Sequence, residues 1–282
     1  MHLAVITDEI SQDLARAASV MLEYGVRAAE LRGIWGVNVT EADESELARA
    51  REVINQNGLE VACIASPVFK CDIDSDAAVV EGPMHLASAR SMPQQLELLR
   101  RCADLAHRFG TDLVRVFSFW RRGPLSPEIE SRIVDAFAEP VRIAGMEGVT
   151  LLLENEHACY IGTGAETRRI VDAVGSPQLA VCWDPGNALC AGEEPYPDGY
   201  SAVRGAVRHV HIKDAKRHGE NGDLKWCVVG EGDIDYVGHF SALRADGYSG
   251  YVSLETHYIP PNGTNEDGSR ACLAALRQLI ED

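Results

Sequence analysis

The sequence predicts a (β/α)8 TIM barrel, an α/β fold in which strands and helices alternate around a closed parallel sheet. Apolar strand-like runs alternate with helix-period segments eight times along the 282 residues, which is the pattern of parallel strands joined by helical crossovers. Eight such units fit a chain of this length. The competing doubly wound sheet would carry a glycine-rich turn after its first strand, whereas residues 8–12 contain no glycine.

Strands are predicted where short apolar runs are bounded by polar or turn residues. In chain order they cover residues 3–7, 28–31, 61–65, 113–117, 150–153, 180–183, 207–212 and 250–254. The connections after the third and eighth strands, residues 70–93 and 257–268, are too long to be simple turns. Because both leave the carboxyl end of a strand, where barrel active sites lie, we expect them to form walls or a lid.

Helices are predicted where apolar residues recur at helical spacing between the strands. They cover residues 13–24, 44–57, 94–109, 129–144, 166–174, 236–245 and 270–280. Ser126 followed by Pro127 is typical of a helix start, and Thr163 with Glu166 matches a capping box. Since no linker and no repeat of about 20 to 50 residues interrupts the alternation, residues 1–282 are predicted to form a single domain.

The composition of the chain limits the kinds of molecule that it is expected to bind. The net charge of −17 arises from 43 acidic and 26 basic side chains, and such a surface repels nucleic acid and anionic lipid. A small molecule or another protein is the expected partner. No apolar run approaches the roughly 20 residues of a membrane span, and the start lacks the features of a signal peptide, so we expect a cytoplasmic protein. The eight cysteines contain no C-x-x-C pair and are expected to be reduced.

Four apolar runs end on, or carry, a good ligand for a hard metal ion: Glu154, Asp184, His211 and Glu255. Burying an unpaired carboxylate is far more costly than burying the apolar residues before it, so four such endings suggest one shared partner. Three carboxylates and one imidazole suit manganese, magnesium or cobalt and also admit zinc. His209 is assigned to the opposite face of its strand from His211, and therefore to packing or to a supporting position behind the ligands.

Five segments carry a resemblance to a known family. They are residues 151–154, 184–187, 209–214, 230–235 and 247–255. Together they resemble the xylose isomerase-like TIM barrel family, which implies the barrel fold. More narrowly they resemble its sugar phosphate isomerase/epimerase branch, which contains ketose 3-epimerases, hydroxypyruvate isomerases, and inosose isomerases and dehydratases.

The resemblance implies one divalent ion, manganese by preference with magnesium, cobalt or zinc as alternatives, held by Glu154, Asp184, His211 and Glu255. It further implies that the two glutamates act as acid and base. Arg217, six positions after the histidine, is implied to hold substrate oxygens. A homo-oligomer is also implied.

Two further residues are candidates for substrate contact. His157 and Lys213 follow the fifth and seventh strands closely enough to touch a substrate, although a solvated or structural role is the alternative for each. Relatives that cut DNA carry a histidine where this chain has Asn187. With the acidic surface, that difference argues against a nuclease.

The chemistry expected of this site is removal of a proton next to the carbonyl of a ketose or keto-sugar. A carbonyl chelated by a metal ion is polarised, so a carboxylate can take the neighbouring proton. We predict that the proton is returned, which makes the enzyme an isomerase or epimerase. The alternative is a lyase, either an inosose dehydratase or an enzyme that β-eliminates from a 3-keto-glycoside. The alternative of another class is a non-catalytic sugar-binding or assembly subunit.

Overall fold

Eight parallel strands close into a barrel within residues 1–74, 78, 80–219 and 223–281, the part of the chain that the computed structural model describes. The barrel strands are β1 (His2–Ile6), β2 (Ala28–Leu31), β3 (Glu60–Ile64), β4 (Leu113–Val116), β5 (Thr150–Glu154), β6 (Leu179–Trp183), β7 (Val207–Ile212) and β8 (Tyr251–Leu254). Each strand pairs with the next, and β8 returns to β1. The predicted fold is confirmed, with every strand end within one residue of its predicted position.

Helices surround the barrel and carry the chain back to the start of each next strand. Those that match predicted segments are Leu14–Glu23, Glu44–Gln56, Met92–Phe109, Pro127–Glu147, Gly164–Val174, Tyr236–Ala245 and Asn265–Glu281. Four short helical segments were not predicted from the sequence: Thr7–Ile10, Pro185–Cys190, Pro195–Gly199 and Tyr200–Val203. Each of these is too short for apolar residues to recur at helical spacing. In the described chain, no helix has the length and apolarity that crossing a bilayer requires.

The inside of the barrel changes from apolar to charged along the strands. Its lower layers contain Ala4, Ala28, Ala62, Cys63, Leu113, Leu152 and Cys182. Because residues two apart on a strand share a face, the next inward positions after Leu113 and Leu152 are Arg115 and Glu154, and both are buried. The charged layer therefore lies at the carboxyl end of the barrel, where barrel enzymes place their active sites.

An antiparallel hairpin outside the barrel follows β7 directly. It pairs Asp214–His218 with Asp223–Cys227, and its Trp226 ring lies 4.9 Å from the His257 ring after β8. The sequence analysis did not predict this hairpin, because its first strand carries charged residues without an apolar alternation. The hairpin thus borders the same end of the barrel as the charged layer.

Candidate metal centre

The four side chains predicted as metal ligands meet at the carboxyl end of the barrel. Glu154 is the last residue of β5, Asp184 follows β6, His211 lies in β7 and Glu255 follows β8. One potential ligand atom from each lies within 4.8 Å of the other three, and all four residues are buried. They converge because the carboxyl ends of neighbouring parallel strands share one edge of the barrel.

Several ligand atoms in this cluster lack a hydrogen-bond partner. Glu154 Oε2, Asp184 Oδ2 and His211 Nδ1 are buried atoms that accept no hydrogen bond from the described residues. Two of them have a charged neighbour, since Lys213 Nζ lies 2.8 Å from Asp184 Oδ2 and Arg115 Nη1 lies 3.3 Å from Glu154 Oε2. Buried polar atoms normally form hydrogen bonds, so atoms without one that face one another fit a shared cation. The donor set of three carboxylates and one imidazole suits a divalent ion.

Basic side chains hold the carboxylates in place. Glu255 accepts from Arg32 Nη1 at 2.8 Å and from Lys213 Nζ at 2.7 Å. Arg115 Nη1 lies 3.3 Å from Glu154 Oε2, and Asn187 Nδ2 donates to Glu154 Oε1 at 3.1 Å. Glu154 is therefore fixed from outside the cluster, whereas Glu255 is held by Arg32 on one oxygen and by Lys213, within the cluster, on the other.

Burial and charge set the protonation of these acids. Burial would raise the pKa of Glu154, but the attraction of His211 and Arg115 outweighs it and holds that pKa below the usual 4.5. Burial would also raise the pKa of Glu255, but the attraction of Lys213 and His211 outweighs it. The pKa of Glu255 therefore lies well below its usual range. At Asp184 burial dominates and raises the pKa to about 7, although Lys213 opposes the shift. Both glutamates are thus carboxylates at neutral pH.

The local sequence of the turn after β6 fixes the orientation of Asp184 and leaves room for Lys213. Asp184 begins the helix Pro185–Cys190, and its Oδ1 accepts from the Asn187 N–H at 2.8 Å, which leaves Oδ2 for the cluster. Pro185 occupies the first helical position, where a missing N–H is tolerated. A Cβ at Gly186 would lie 2.5 Å from the Cγ of Lys213, so any larger residue at this position would clash with the lysine side chain.

The other predicted site residues are placed differently. Lys213 is buried inside the cluster. The His157 side chain is 42% exposed, with Nδ1 3.0 Å from Glu156 Oε1 and 3.2 Å from Asn187 Oδ1. Arg217 lies on the hairpin, with its side chain 46% exposed and Nη1 3.8 Å from Asp233. The structure therefore brings His157 and Lys213 to the cluster but leaves Arg217 outside it, and a substrate contact for Arg217 stays a prediction.

The placement of His209 was predicted wrongly. Residues two apart on a strand lie on the same face, so His209 and His211 both point into the barrel. Their Nε2 atoms lie 2.8 and 3.0 Å from the two carboxylate oxygens of Glu30. Glu30 itself is fully buried beneath the ligand cluster. The sequence analysis did not identify this contact, because 179 residues separate Glu30 from His209.

A cavity of about 320 Å³ opens beside the ligand cluster. Arg32, which contacts Glu255, forms part of its wall together with Asp8 and Glu9. Both long connections also line it, the first through His85 and the second through His257. The first connection includes residues 75–77 and 79, which lie outside the described residues. A cavity of this size next to converging polar groups fits a small-molecule site.

Buried negative charge exceeds buried positive charge. Among the described residues, eight aspartates and glutamates are buried against four arginines and lysines. One of the eight acids, Asp214, has a different role. It accepts hydrogen bonds from the N–H groups of Gly230 and Gly232 and orders the turn that these glycines form. The rest lie at or near the carboxyl end of the barrel. An excess of carboxylates in a low-dielectric site favours a bound cation.

Comparison with known proteins agrees with this geometry. The family model of the xylose isomerase-like TIM barrel matches residues 18–279. The chain belongs to this family. Among solved structures, the IolI protein with a bound zinc atom has a TM-score of 0.78 at 17% identity and covers 100% of this chain and 98% of its own. L-ribulose 3-epimerase has a TM-score of 0.75 at 19% identity, with 100% and 95% covered. At these identities the likeness establishes the fold.

Sequence relatives within the family include lyases. The 3-oxo-isoapionate decarboxylase of Pectobacterium atrosepticum is 31% identical over 105 residues, which are 36% of this chain and 38% of that protein. Inosose dehydratase of Geobacillus kaustophilus is 22% identical over 280 residues, covering 90% of this chain and 82% of that protein. The match to inosose dehydratase of Lacticaseibacillus casei spans 42% of that protein. The chain therefore spans less than half the length of several relatives that it matches.

Proposed function

We propose that this chain is a divalent-metal-dependent enzyme that removes the proton next to the carbonyl of a ketose or keto-sugar and returns it as an isomerase or epimerase. The observation that carries the proposal is the cluster of Glu154, Asp184, His211 and Glu255, three of which offer atoms without a hydrogen-bond partner among the described residues. Manganese is the expected ion, with magnesium, cobalt or zinc as alternatives. A cytoplasmic homo-oligomer remains the expected state.

The positions of the two glutamates support proton transfer as the proposed reaction. A bound divalent ion would polarise the substrate carbonyl and acidify the neighbouring C–H. Glu154 and Glu255 are ionised and stand at the ends of β5 and β8, on different sides of the cluster. One carboxylate can remove the proton and the other can return it from the opposite side of the carbon. The pairs with Arg115 and Arg32 hold each carboxylate in a fixed orientation.

The charge of the site favours an uncharged substrate. Without Asp214, seven buried acids stand against four buried bases at this end of the barrel, and a divalent ion offsets only part of that excess. A phosphate or carboxylate on the substrate would add negative charge beside Asp8 and Glu9, which line the cavity. Hydroxyl groups can instead donate hydrogen bonds to these carboxylates. We therefore expect a neutral keto-polyol or keto-glycoside, not a sugar phosphate.

A lyase is the second candidate, because the structure offers an acid outside the ligand set. The hydrogen bond that the imidazole of His157 donates to the Glu156 carboxylate raises the pKa of His157 above the usual 6.5. Its half-exposed imidazole is linked through Asn187 to Glu154. A protonated imidazole there could donate a proton to an oxygen that leaves from the carbon β to the carbonyl. The matches to inosose dehydratases also support this candidate.

One experiment distinguishes the two reactions. The manganese-loaded enzyme is incubated in D₂O with ketoses, inososes and 3-keto-glycosides, and products are followed by NMR and mass spectrometry. An isomerase or epimerase exchanges one substrate hydrogen and yields a product of unchanged composition, whereas a lyase releases water or an aglycone. In His157→Gln, a lyase should retain deuterium exchange but lose elimination. The absence of both exchange and product with any of these substrates would favour a non-catalytic sugar-binding subunit.

A further inference from the structure

Glu30 is a buried carboxylate whose partners are two histidines. Its side chain is 0% exposed, and its two oxygens lie 2.8 Å from His209 Nε2 and 3.0 Å from His211 Nε2. Among the described residues, no arginine or lysine forms an ion pair with it. Burying a carboxylate is costly unless it is paired and hydrogen-bonded, so the contacts with the two imidazoles are what compensates this burial.

The contact with Glu30 decides which nitrogen of His211 is free. Ionised carboxylate oxygens only accept hydrogen bonds, so His211 must donate its Nε2–H to Glu30. A bound ion would then use the lone pair of Nδ1, the atom that faces Glu154 Oε1 at 3.3 Å and Glu255 Oε2 at 3.7 Å. Nδ1 has no hydrogen-bond partner among the described residues. The ring is thus turned so that Nδ1 points into the ligand cluster.

We infer that Glu30 is a positioning residue that holds His211 in the tautomer and orientation needed to bind the ion through Nδ1. Carboxylates commonly fix metal-binding histidines in this way. His209 supports Glu30 by donating to its other oxygen, which prevents the carboxylate from rotating away from His211. This inference rests on the proposed function, because it treats His211 as a ligand.

Removing the acceptor should reverse the tautomer. In Glu30→Leu, an Nε2–H on His211 would face an apolar side chain, whereas an Nδ1–H could donate to Glu154 or Glu255, only 3.3 and 3.7 Å away. The proton should therefore move to Nδ1 and occupy the position that the ion needs. Loss of such an outer partner typically weakens metal binding by about 10- to 100-fold.

The test measures the tautomer and the metal affinity separately. Long-range ¹H–¹⁵N spectra of the metal-free protein, recorded at a pH high enough for the His211 ring to be neutral, report which His211 nitrogen is protonated, and calorimetry with Mn²⁺ or Co²⁺ gives the stoichiometry and Kd. Wild-type protein should show Nε2–H, whereas Glu30→Leu should show Nδ1–H and a Kd raised by about 10- to 100-fold. Glu30→Gln, which keeps the shape of the side chain, should shift both readouts in the same direction if the leucine variant does not fold.

Ser253→Ala is the matched control. Ser253 is buried on β8, pairs in register with His211, and has an Oγ without a hydrogen-bond partner in the described chain. This variant should leave the tautomer and the Kd unchanged. An unchanged tautomer and Kd in the folded Glu30 variants would overturn the inference. So would two bound ions in the wild type with one lost in the variants, because Glu30 would then be a ligand itself. If the wild type binds no ion, the proposed function fails, while the tautomer measurement still tests the role of Glu30.

Discussion

His239 makes the fold sensitive to acid, and its replacement by phenylalanine should remove that sensitivity. The residue is buried in the helix Tyr236–Ala245, and neither ring nitrogen has a hydrogen-bond partner among the described residues. The rings of Tyr196, Tyr200, Tyr236 and Phe240 pack around it. Burial lowers the pKa of His239 from 6.5 to about 3, because a charged imidazole would lie in an apolar site.

The sign and size of the effect follow from the pKa. A lowered histidine pKa means that the unfolded chain binds the proton more readily, so stability is present above about pH 6.5 and is lost as the pH falls toward about 3. At about 1.36 kcal/mol per pH unit, the full difference corresponds to roughly 5 kcal/mol. Between pH 7 and pH 5 this histidine should reduce the free energy of unfolding by about 2 kcal/mol.

Urea unfolding followed by circular dichroism at pH 7 and pH 5 measures this loss. The pH-dependent loss should be smaller by about 2 kcal/mol in His239→Phe than in the wild type. Phe240→Leu is the matched control: it changes the volume of the neighbouring buried side chain without removing a titrating group, so it should lower stability equally at both pH values. A loss in His239→Phe equal to that of the wild type would refute the reasoning.

The remaining predictions concern the proposed active site. Metal analysis should find about one ion per chain, and His211→Ala should lose most of it; full metal content in that variant would contradict the ligand assignment. Glu255→Gln keeps an oxygen but loses basicity, so turnover should fall by about 10²-fold or more while some metal and substrate remain bound. Near-wild-type turnover would instead place the base elsewhere, with His157 next. Arg217→Ala should mainly raise KM, and an unchanged KM would show that Arg217 stays on the surface beside Asp233.

Local signals in the sequence were sufficient for the barrel and for the cluster of three acids and one histidine. Strands appear as short apolar runs, and the ends of parallel strands necessarily share one edge, so Glu154 and Glu255 could be placed together before their distance was known. This inference needs only the order of the elements. The inference succeeded because each ligand could be assigned to the end of its own strand without knowledge of its contacts.

Contacts between distant residues could not be predicted in that way. The pairing of Arg32 with Glu255 joins residues 223 positions apart and depends on the closure of the barrel. The first strand of the hairpin after β7, Asp214–His218, carries a single apolar residue, so hydrophobic periodicity gives no signal for that strand. His209 shows a different cause of error, since the assignment of its face was wrong although the alternation along β7 contained the answer.

Lys213 gives the ligand cluster a positive charge of its own. Its ammonium lies 2.8 Å from Asp184 and 2.7 Å from Glu255, between two carboxylates that would otherwise repel each other. The apoprotein therefore has an internal counterion. Because of it, the barrel should remain folded and its carboxylates correctly spaced when the divalent ion is absent, and newly made chains can acquire the metal after folding.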